Sequence, residues 1–332
     1  MTVLEDPATG QLDSGEFTRL TDPFRRELFG YAYRMLGSLH DAEDAVQETY
    51  LRAWQAHERF AGRSSWRTWL YRIATNVCLR AIERSARRPL PSGLGNSTGA
   101  PGSMDPPRPA DDVPWLQPVP DAMVVPTTAD MTSVVAARSS IRLAFVAALQ
   151  YLPARQRAVL ILRDVLEWPA TEVAGLLGTT VASVTSALQR ARAQLAQVRP
   201  IEDEIAEPSD AGRRAQVERY VTAFENADLE TLVRLMRQDV VWEMPPMRQW
   251  YSGREAVAGF LRTTVLGGPD SWRLVRTAAN GRPALAAYLG VPGEVHHAHG
   301  IQVLELTPTG IAAVVTFLDP VLFTRFGLPA VR

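Results

Sequence analysis

Aromatic rings and guanidinium groups alternate along residues 66–88, WRTWLYRIATNVCLRAIERSARR. Trp66, Trp69 and Tyr71 stand among arginines, and residues 59–88 carry eight arginines against one acid. Rings stack on unpaired bases and guanidinium groups pair with phosphates, so this composition is typical of single-stranded nucleic acid binding. The alternative is that both tryptophans belong to a hydrophobic core, and we expect at least Trp69 to be buried.

A second segment with nucleic-acid chemistry covers residues 167–195, EWPATEVAGLLGTTVASVTSALQRARAQL. Gly178 makes a turn between two helical patterns, and Thr180 can cap the second helix. Short hydrogen-bonding side chains at the start of such a helix reach base edges in the major groove, as in a helix-turn-helix. A generic helical hairpin is the alternative. The candidate base-reading side chains are Ser183, Ser186, Gln189 and Arg190. The face predicted to be buried consists of Val181, Val184, Leu188, Ala191 and Leu195.

The composition bounds the class of protein. The 332 residues are enough for two or three domains, and a hydrophobic share of 46% excludes wholesale disorder. All 35 basic residues are arginine, and they nearly balance 36 acids. The single cysteine, Cys78, excludes an intrachain disulfide and a CxxC zinc site, in keeping with a reducing cytoplasm. Neither a secretory signal nor a run of 18 apolar residues is apparent, so we expect a cytoplasmic protein without a membrane span.

Two breaks divide the chain. Residues 89–126 hold ten prolines, which remove backbone donors and fix φ, so a long helix is not expected there. Residues 200–212 carry five acids and no arginine. Basic stretches on both sides of an acidic linker indicate two separate contacts with a polyanion. The predicted units are the first body (residues 16–88), the linker (89–130), the second body (131–199) and the C-terminal domain (213–332).

The first body is predicted to be helical, with helices over residues 24–37, 41–54 and 66–88. In the second of these, DAEDAVQETYLRAW, apolar residues form one stripe and polar side chains lie on the other side. Such a polar face either aids solubility or docks a basic surface of a partner. Its members are Asp41, Asp44, Gln47 and Glu48.

The C-terminal domain combines helical and strand patterns. Amphipathic helices come first, and strands are predicted over residues 272–278, 284–289, 296–306 and 311–318, with a turn at Asn280-Gly281. Helices followed by a curved antiparallel sheet make an α+β cone. The predicted fold class is therefore two all-α bodies, the second with a helix-turn-helix, and an α+β cone.

These segments together resemble the extracytoplasmic-function subgroup of the sigma-70 family of bacterial RNA polymerase sigma factors. DAEDAVQETYLRAW resembles region 2.2, and residues 60–84, FAGRSSWRTWLYRIATNVCLRAIER, resemble regions 2.3 and 2.4. ALQYLPARQRAVLILRDVL (148–166) and residues 167–195 resemble regions 4.1 and 4.2. The resemblance implies a protein that binds core RNA polymerase and directs it to promoter DNA through a −10 and a −35 element.

Family roles carry over to the matching positions. The polar face of residues 41–54 would contact the β′ clamp helices, and the helix-turn-helix, with Thr180, would read the −35 element and touch the β flap. Trp66 stands where phenylalanine is usual, and Arg80 stands where aspartate is common, which adds charge on the DNA side. The residues implied for the −10 element are Phe60, Arg63, Ser64, Arg67, Arg72, Asn76 and Arg80.

The C-terminal domain resembles the SnoaL-like branch of the NTF2-like superfamily. Together with WLQPVPD (115–121) and FLDPVLFTRFGLP (317–329), it makes the whole chain resemble the actinobacterial sigma-G type, which carries such a domain. We expect this domain to pack on the first body or the linker and to regulate initiation, without being an enzyme. One alternative is an enzyme or a sensor of a small hydrophobic molecule. Another is a helix-turn-helix repressor that acts without polymerase.

The superfamily cone often encloses a pocket. His296, His297 and His299, with Glu243 on another strand, suggest either a catalytic or metal site or one partly buried histidine beside two exposed ones. Strand alternation separates His296 from the other two, so a three-histidine metal site is geometrically poor, and we expect neither metal nor cofactor. The candidate pocket residues are Trp242, Met244, Trp250, Tyr251, Phe260, His297 and Phe317.

Overall fold

The computed structural model describes residues 13–60, 62, 64–98, 109–125, 131–198 and 209–332. The two N-terminal bodies are built from helices, and the C-terminal domain combines helices with a six-stranded sheet. The predicted fold class is thus confirmed. Most of the second predicted break, residues 200–208, lies outside the described residues.

Helix caps set the starts of the main helices in the first body. The Ser38 hydroxyl accepts a hydrogen bond from the Asp41 backbone N–H (3.1 Å), and the Ser65 hydroxyl accepts one from the Thr68 N–H (3.1 Å). The last helix ends at Arg84, earlier than predicted. The helices are α1 (Ser14–Thr21), α2 (Arg25–Leu36), α3 (Leu39–Ala56) and α4 (Trp66–Arg84).

The described part of the linker is packed rather than free. It contains a 3-10 turn at Pro91–Gly93 and one short α-helix, α5 (Asp121–Val124), and the linker residue Leu116, which precedes α5, is fully buried. The Ser92 backbone N–H donates to the Glu243 carboxylate (2.8 Å), and the Trp250 indole N–H donates to the Gly95 carbonyl (3.1 Å). The linker is therefore held to the C-terminal domain at Ser92 and Gly95.

The second body is a set of five helices. Its last helix buries Val184, Leu188, Ala191 and Leu195 as predicted. Val181 was also predicted to be buried, but it is 43% exposed, because it is the first residue of the helix and its side chain leans beyond the packed turns. The helices are α6 (Met131–Ser139), α7 (Leu143–Leu149), α8 (Ala154–Leu160, continued by a π turn over Ile161–Val165), α9 (Ala170–Leu177) and α10 (Val181–Val198).

The C-terminal domain combines one six-stranded sheet with four helices. The strand order is β2-β1-β6-β5-β4-β3, and every pair is antiparallel except β1 with β6. The prediction of a purely antiparallel sheet was wrong at this pair. Strand β6 turns back from β5 in a hairpin and then runs in the same direction as its other neighbour, β1. The helices are α11 (Asp210–Glu225), α12 (Leu229–Leu235), α13 (Arg254–Phe260) and α14 (Leu322–Arg325). The strands are β1 (Met236–Glu243), β2 (Trp250–Ser252), β3 (Trp272–Ala279), β4 (Arg282–Leu289), β5 (His297–Thr307) and β6 (Gly310–Phe317).

Two apolar clusters form the cores. One lies inside the C-terminal domain, between one face of the sheet and helices such as α11, with Phe224 and Leu304 among its members. The other joins the first body, the linker and the second body to the opposite face of the sheet, where Ile301 and Val315 lie. Because one cluster crosses all the parts of the chain, the C-terminal domain packs on the rest of the protein.

Candidate nucleic-acid and partner interfaces

One face of α4 carries exposed groups suited to DNA. Arg72, Asn76 and Arg80 are spaced four residues apart, so they lie on the same side of the helix, and all three are exposed. Two guanidinium groups flanking an amide can bind phosphate and base edges together. Arg63, which was predicted to join this set, lies outside the described residues.

Arg67 does not belong to this exposed set. Its guanidinium donates to both carboxylate oxygens of Glu27, at 2.9–3.2 Å. It also lies over the rings of Tyr71 and Trp168, with Cζ 5.4 and 4.9 Å from the ring centroids. In this arrangement the Arg67 side chain contacts other residues of the same chain instead of being presented to DNA.

An aromatic cluster precedes the exposed face of α4. The Phe60 ring lies 4.4 Å from Trp66 and 4.9 Å from Trp69 between centroids, and the two indoles meet edge-on at 5.4 Å. All three rings are half-buried, as is Ser64 beside them. The sequence left open whether the tryptophans lie in the core or at a base-stacking surface. Both hold in part, since the rings pack on the core and still reach the surface.

The polar face of α3 is partly occupied by ion pairs. Asp41 pairs with Arg88, and Glu48 pairs with Arg52 at 2.6 Å. Asp44 and Gln47 are exposed. The same helix also presents apolar side chains that were not predicted to be exposed, since Leu51 is 57% exposed and Trp54 is 37% exposed. A large apolar side chain on the acidic side of the helix is the sequence signal from which these residues could have been predicted to belong to the docking face.

The second helix of the helix-turn-helix presents its predicted readers to solvent. Ser186, Gln189 and Arg190 are exposed, as are Thr180 and Ser183. The Thr180 hydroxyl accepts a hydrogen bond from the Ser183 N–H (3.2 Å) and donates to the Ser183 hydroxyl (3.0 Å). These two residues therefore also form the N-terminal cap of α10.

The α4 helix packs directly against the helix-turn-helix. The Arg72 guanidinium donates to the Gly175 carbonyl of α9 (3.1 Å). The Tyr71 ring lies 4.9 Å from the ring of Trp168, which precedes α9 and is 3% exposed. The two candidate nucleic-acid surfaces are thus held side by side.

A hairpin of the C-terminal domain lies where the other three parts meet. The Asn280 side chain, fully buried, donates to the Tyr33 hydroxyl (2.7 Å) of the first body and to the Ile141 carbonyl (2.7 Å) of the second. It also exchanges two hydrogen bonds of 3.0 Å with the Val119 backbone of the linker. Burial raises the pKa of Tyr33 well above its usual value, so its hydroxyl stays neutral. One amide therefore ties together four parts of the chain.

The neighbouring glycine completes this junction. The Gly281 N–H donates to the Asp121 carboxylate (2.8 Å), and Pro120 pairs with Ala279 as an antiparallel bridge. Gly281 has φ +70°, and a Cβ at this position would lie 2.6 Å from the Arg138 carbonyl oxygen. The turn thus needs glycine both for its conformation and for its close approach to α6. The Asn280-Gly281 turn was predicted, but its position between the bodies was not.

Four of the seven predicted pocket residues come together inside the C-terminal domain. The rings of Tyr251 and Phe260 stack at 4.4 Å, and Trp242 lies 6.5 Å from Phe260 between centroids. Met244 belongs to the same cluster. The Trp242 indole N–H is buried and has no hydrogen-bond partner among the described residues.

The other three predicted pocket residues do not join this group. Trp250 holds the linker through its indole N–H. His297 is exposed at the start of β5. Phe317 lies on the opposite face of the sheet, because β6 directs Val314 inward and alternate residues outward. Within the described ranges, no group of three metal-ligating side chains is close enough to hold a metal ion.

Family models match three stretches of the chain. Sigma-70 region 2 matches residues 20–88, sigma-70 region 4 matches residues 142–195, and the SnoaL-like domain matches residues 217–319. The chain belongs to the extracytoplasmic-function (ECF) RNA polymerase sigma factors, so it binds core RNA polymerase and promoter DNA. The matches lie within the predicted units, whose boundaries stay predictions.

Two Mycobacterium tuberculosis sigma factors are similar to this chain over much of its length. It is 49% identical over 318 residues to the ECF RNA polymerase sigma factor SigG of Mycobacterium tuberculosis, covering 95% of this chain and 84% of the relative. It is 29% identical to SigJ of the same organism over 221 residues, covering 67% and 62% of the two chains. The crystal structure of M. tuberculosis SigJ has the same fold, with TM-score 0.58 and 24% identity over 96% of this chain and all of that one. Among the described residues, no helix is both long and apolar enough to cross a membrane.

Proposed function

We propose that the C-terminal domain holds regions 2 and 4 in a closed, inactive arrangement, which opens when the sigma factor works with polymerase at a promoter. The observation that supports this most is the hydrogen bond from Arg72 to the Gly175 carbonyl. Promoter elements at −10 and −35 are separated by roughly 25 base pairs, about 85 Å at 3.4 Å per base pair. Two surfaces in direct contact do not span that distance, so the arrangement must open before both elements are read.

The exposed residues divide into three interfaces. Arg72, Asn76 and Arg80, next to the Phe60 and Trp66 rings, would bind the −10 element, where an unpaired base can stack on the aromatic cluster. The −35 element would be read by the exposed start of α10. Its base-reading residues would be Ser186, Gln189 and Arg190, with Thr180 and Ser183 at the helix cap.

Polymerase would dock on the polar face of α3. Asp44 and Gln47 would meet the β′ clamp helices, and the exposed Leu51 side chain would supply an apolar contact beside them. Region 4 would contact the β flap. The C-terminal domain reaches this face as well, because Arg325 pairs with Glu43 at 3.0 Å. Its release would therefore free both the docking helix and the junction.

The C-terminal domain would act by position and not as an enzyme. Its β3–β4 hairpin and its edge strand β2 form hydrogen bonds with the linker at Val119 and Gly95. A domain that restrains the linker requires such contacts. A second candidate role is binding of a small hydrophobic molecule. The buried Trp242 N–H, unpartnered among the described residues beside stacked aromatic rings, favours a ligand that carries one acceptor.

A distance measurement tests the closed arrangement. Dyes attached to Glu83→Cys on α4 and Glu172→Cys on α9, both exposed sites, are expected to transfer energy efficiently in the free protein. Transfer should fall sharply in the complex with core polymerase and promoter DNA. The native Cys78 is fully buried, which raises its pKa to about 12, so it should not react with the dyes.

The control pair is Glu172→Cys on α9 with Gln197→Cys on α10, both within the second body. Its transfer efficiency should stay constant, because region 4 moves as one body. Equal efficiency for the Glu83–Glu172 pair in the free protein and in the promoter complex would contradict the proposed opening.

A further inference from the structure

A cavity of about 1330 Å³ lies between the first body on one side and the linker and second body on the other. Helices α2 and α3 form one wall, and α5, α6 and the π turn after α8 form the other. The lining combines charged and apolar side chains. Its larger apolar side chains are Phe29 and Val46 of region 2, Met123 and Val124 of α5, and Val165 and Leu166 of the turn.

One buried cation stands in this lining. Arg34 is 5% exposed, and its guanidinium donates through Nε and Nη2 to the Ser140 hydroxyl (3.2 and 2.7 Å) and through Nε to the Ser140 carbonyl (3.2 Å). Nη1 has no acceptor among the described residues. Burial lowers the pKa of Arg34 to about 10, so the group is still charged at neutral pH.

Three of the four acids that line the cavity are paired with other arginines, and the fourth, Glu167, is exposed to solvent. Glu27 pairs with Arg67 at 2.9 Å, and Glu43 pairs with Arg325 at 3.0 Å. Asp22, at the rim, pairs with Arg25 at 3.0 Å. Burying an isolated charge is unfavourable in free energy, and buried charges are therefore usually paired with a group of opposite charge. Within the described part of the chain, Arg34 makes no ion pair.

We propose that this cavity binds a small amphiphilic anion. Its carboxylate or phosphate oxygens pair with the Arg34 guanidinium, and its hydrocarbon body lies against Phe29, Val124 and Leu166. Ser140 orients the guanidinium from the opposite wall. Binding of this ligand does not depend on the roles assigned to the promoter-reading residues.

Binding would favour the closed arrangement. Arg34 and Phe29 come from region 2, whereas Ser140 and Leu166 come from the segment that contains region 4. When the two regions separate, the walls of the cavity separate with them. A ligand that needs both walls stabilises the arrangement in which they face each other.

Calorimetric titration of the full chain tests this site with three probes below their micelle concentrations: decanoate, decyl phosphate and decanol. At least one anion should bind saturably with one site, at least about tenfold more tightly than the alcohol, since hydrogen bonds between charged groups are stronger than those to a neutral hydroxyl. The two anions distinguish a carboxylate ligand from a phosphate ligand.

Matched variants locate the site. Arg34→Met keeps the apolar length and should lose at least about tenfold in anion affinity, while Arg34→Lys should keep part of it. Arg192→Met, at an exposed arginine outside the lining, should bind like the wild type. The proposal is overturned if neither anion binds the wild type, if decanol binds as tightly, or if Arg34→Met binds the anion unchanged. If Arg34→Met does not fold, equal affinity of Arg34→Lys and the wild type for all three probes overturns it.

Discussion

Replacing Gly281 by alanine is expected to raise run-off transcription by core polymerase at least about tenfold. The added Cβ would lie 2.6 Å from the Arg138 carbonyl oxygen and 3.0 Å from the Arg138 Cα, both backbone atoms of α6. These atoms do not move without displacing the helix, so the hairpin must leave the junction. Asn280 would then lose its hydrogen bonds to Tyr33 and Ile141. A loss of about 1.4 kcal/mol in docking free energy already changes the closed-to-open ratio tenfold.

Gly293→Ala is the matched control. Gly293 also has a positive φ, +86°, so alanine there carries a comparable backbone cost, but no atom lies within 4 Å of its added Cβ. This variant should transcribe like the wild type. Thermal unfolding of both variants checks that the C-terminal domain still folds. If a folded Gly281→Ala protein has wild-type activity, the hairpin does not restrain the promoter-reading regions.

Reversing the charge at Asp44 is expected to weaken binding to core polymerase about 100-fold. The other acids of α3 already have arginine partners, at Asp41 with Arg88 and Glu43 with Arg325. Asp44 is exposed and has no ion-pair partner among the described residues, so it is available to a basic surface. Placing like charges together across an interface costs several kcal/mol.

The control for Asp44→Arg is Glu294→Arg, the same change of charge at an exposed loop position of the C-terminal domain. Affinity for core polymerase should be measured for both at two salt concentrations, because the contribution of Asp44 should be screened by salt. Core affinity of Asp44→Arg equal to that of Glu294→Arg would remove this face from the docking surface.

The local sequence pattern was sufficient to predict the helices that carry the proposed interfaces. Helix α3 was predicted over residues 41–54 and spans Leu39–Ala56, because an apolar stripe, a serine cap and a strong helical composition agree there. The exposed groups of α4 and α10 also followed from periodicity. Val181 was misplaced because periodicity does not report where a helix extends beyond its packing partners.

The contacts between units could not be read from local pattern. Asn280-Gly281 reads as a hairpin turn in any sheet, and only the tertiary arrangement places it against Tyr33 and Arg138. Trp250 was predicted to line a pocket, because an aromatic near a cone interior and one that binds a linker look alike in sequence. Arg34 lies in an ordinary amphipathic helix, and its lack of an acidic partner appears only when the two regions are packed together.

A reversible covalent lock across the junction tests the central claim most directly. Pro120 and Ala279 are opposite residues of an antiparallel bridge, where Cα atoms lie about 4.5–5.5 Å apart, within the range that a disulfide spans. Run-off transcription is measured for the Pro120→Cys/Ala279→Cys protein before and after reduction, with Pro120→Cys alone as the control for oxidant. If the hairpin must leave the linker before initiation, the oxidised double variant will be inactive and reduction will restore transcription. Equal transcription by the oxidised and reduced forms would show that initiation does not require the junction to open.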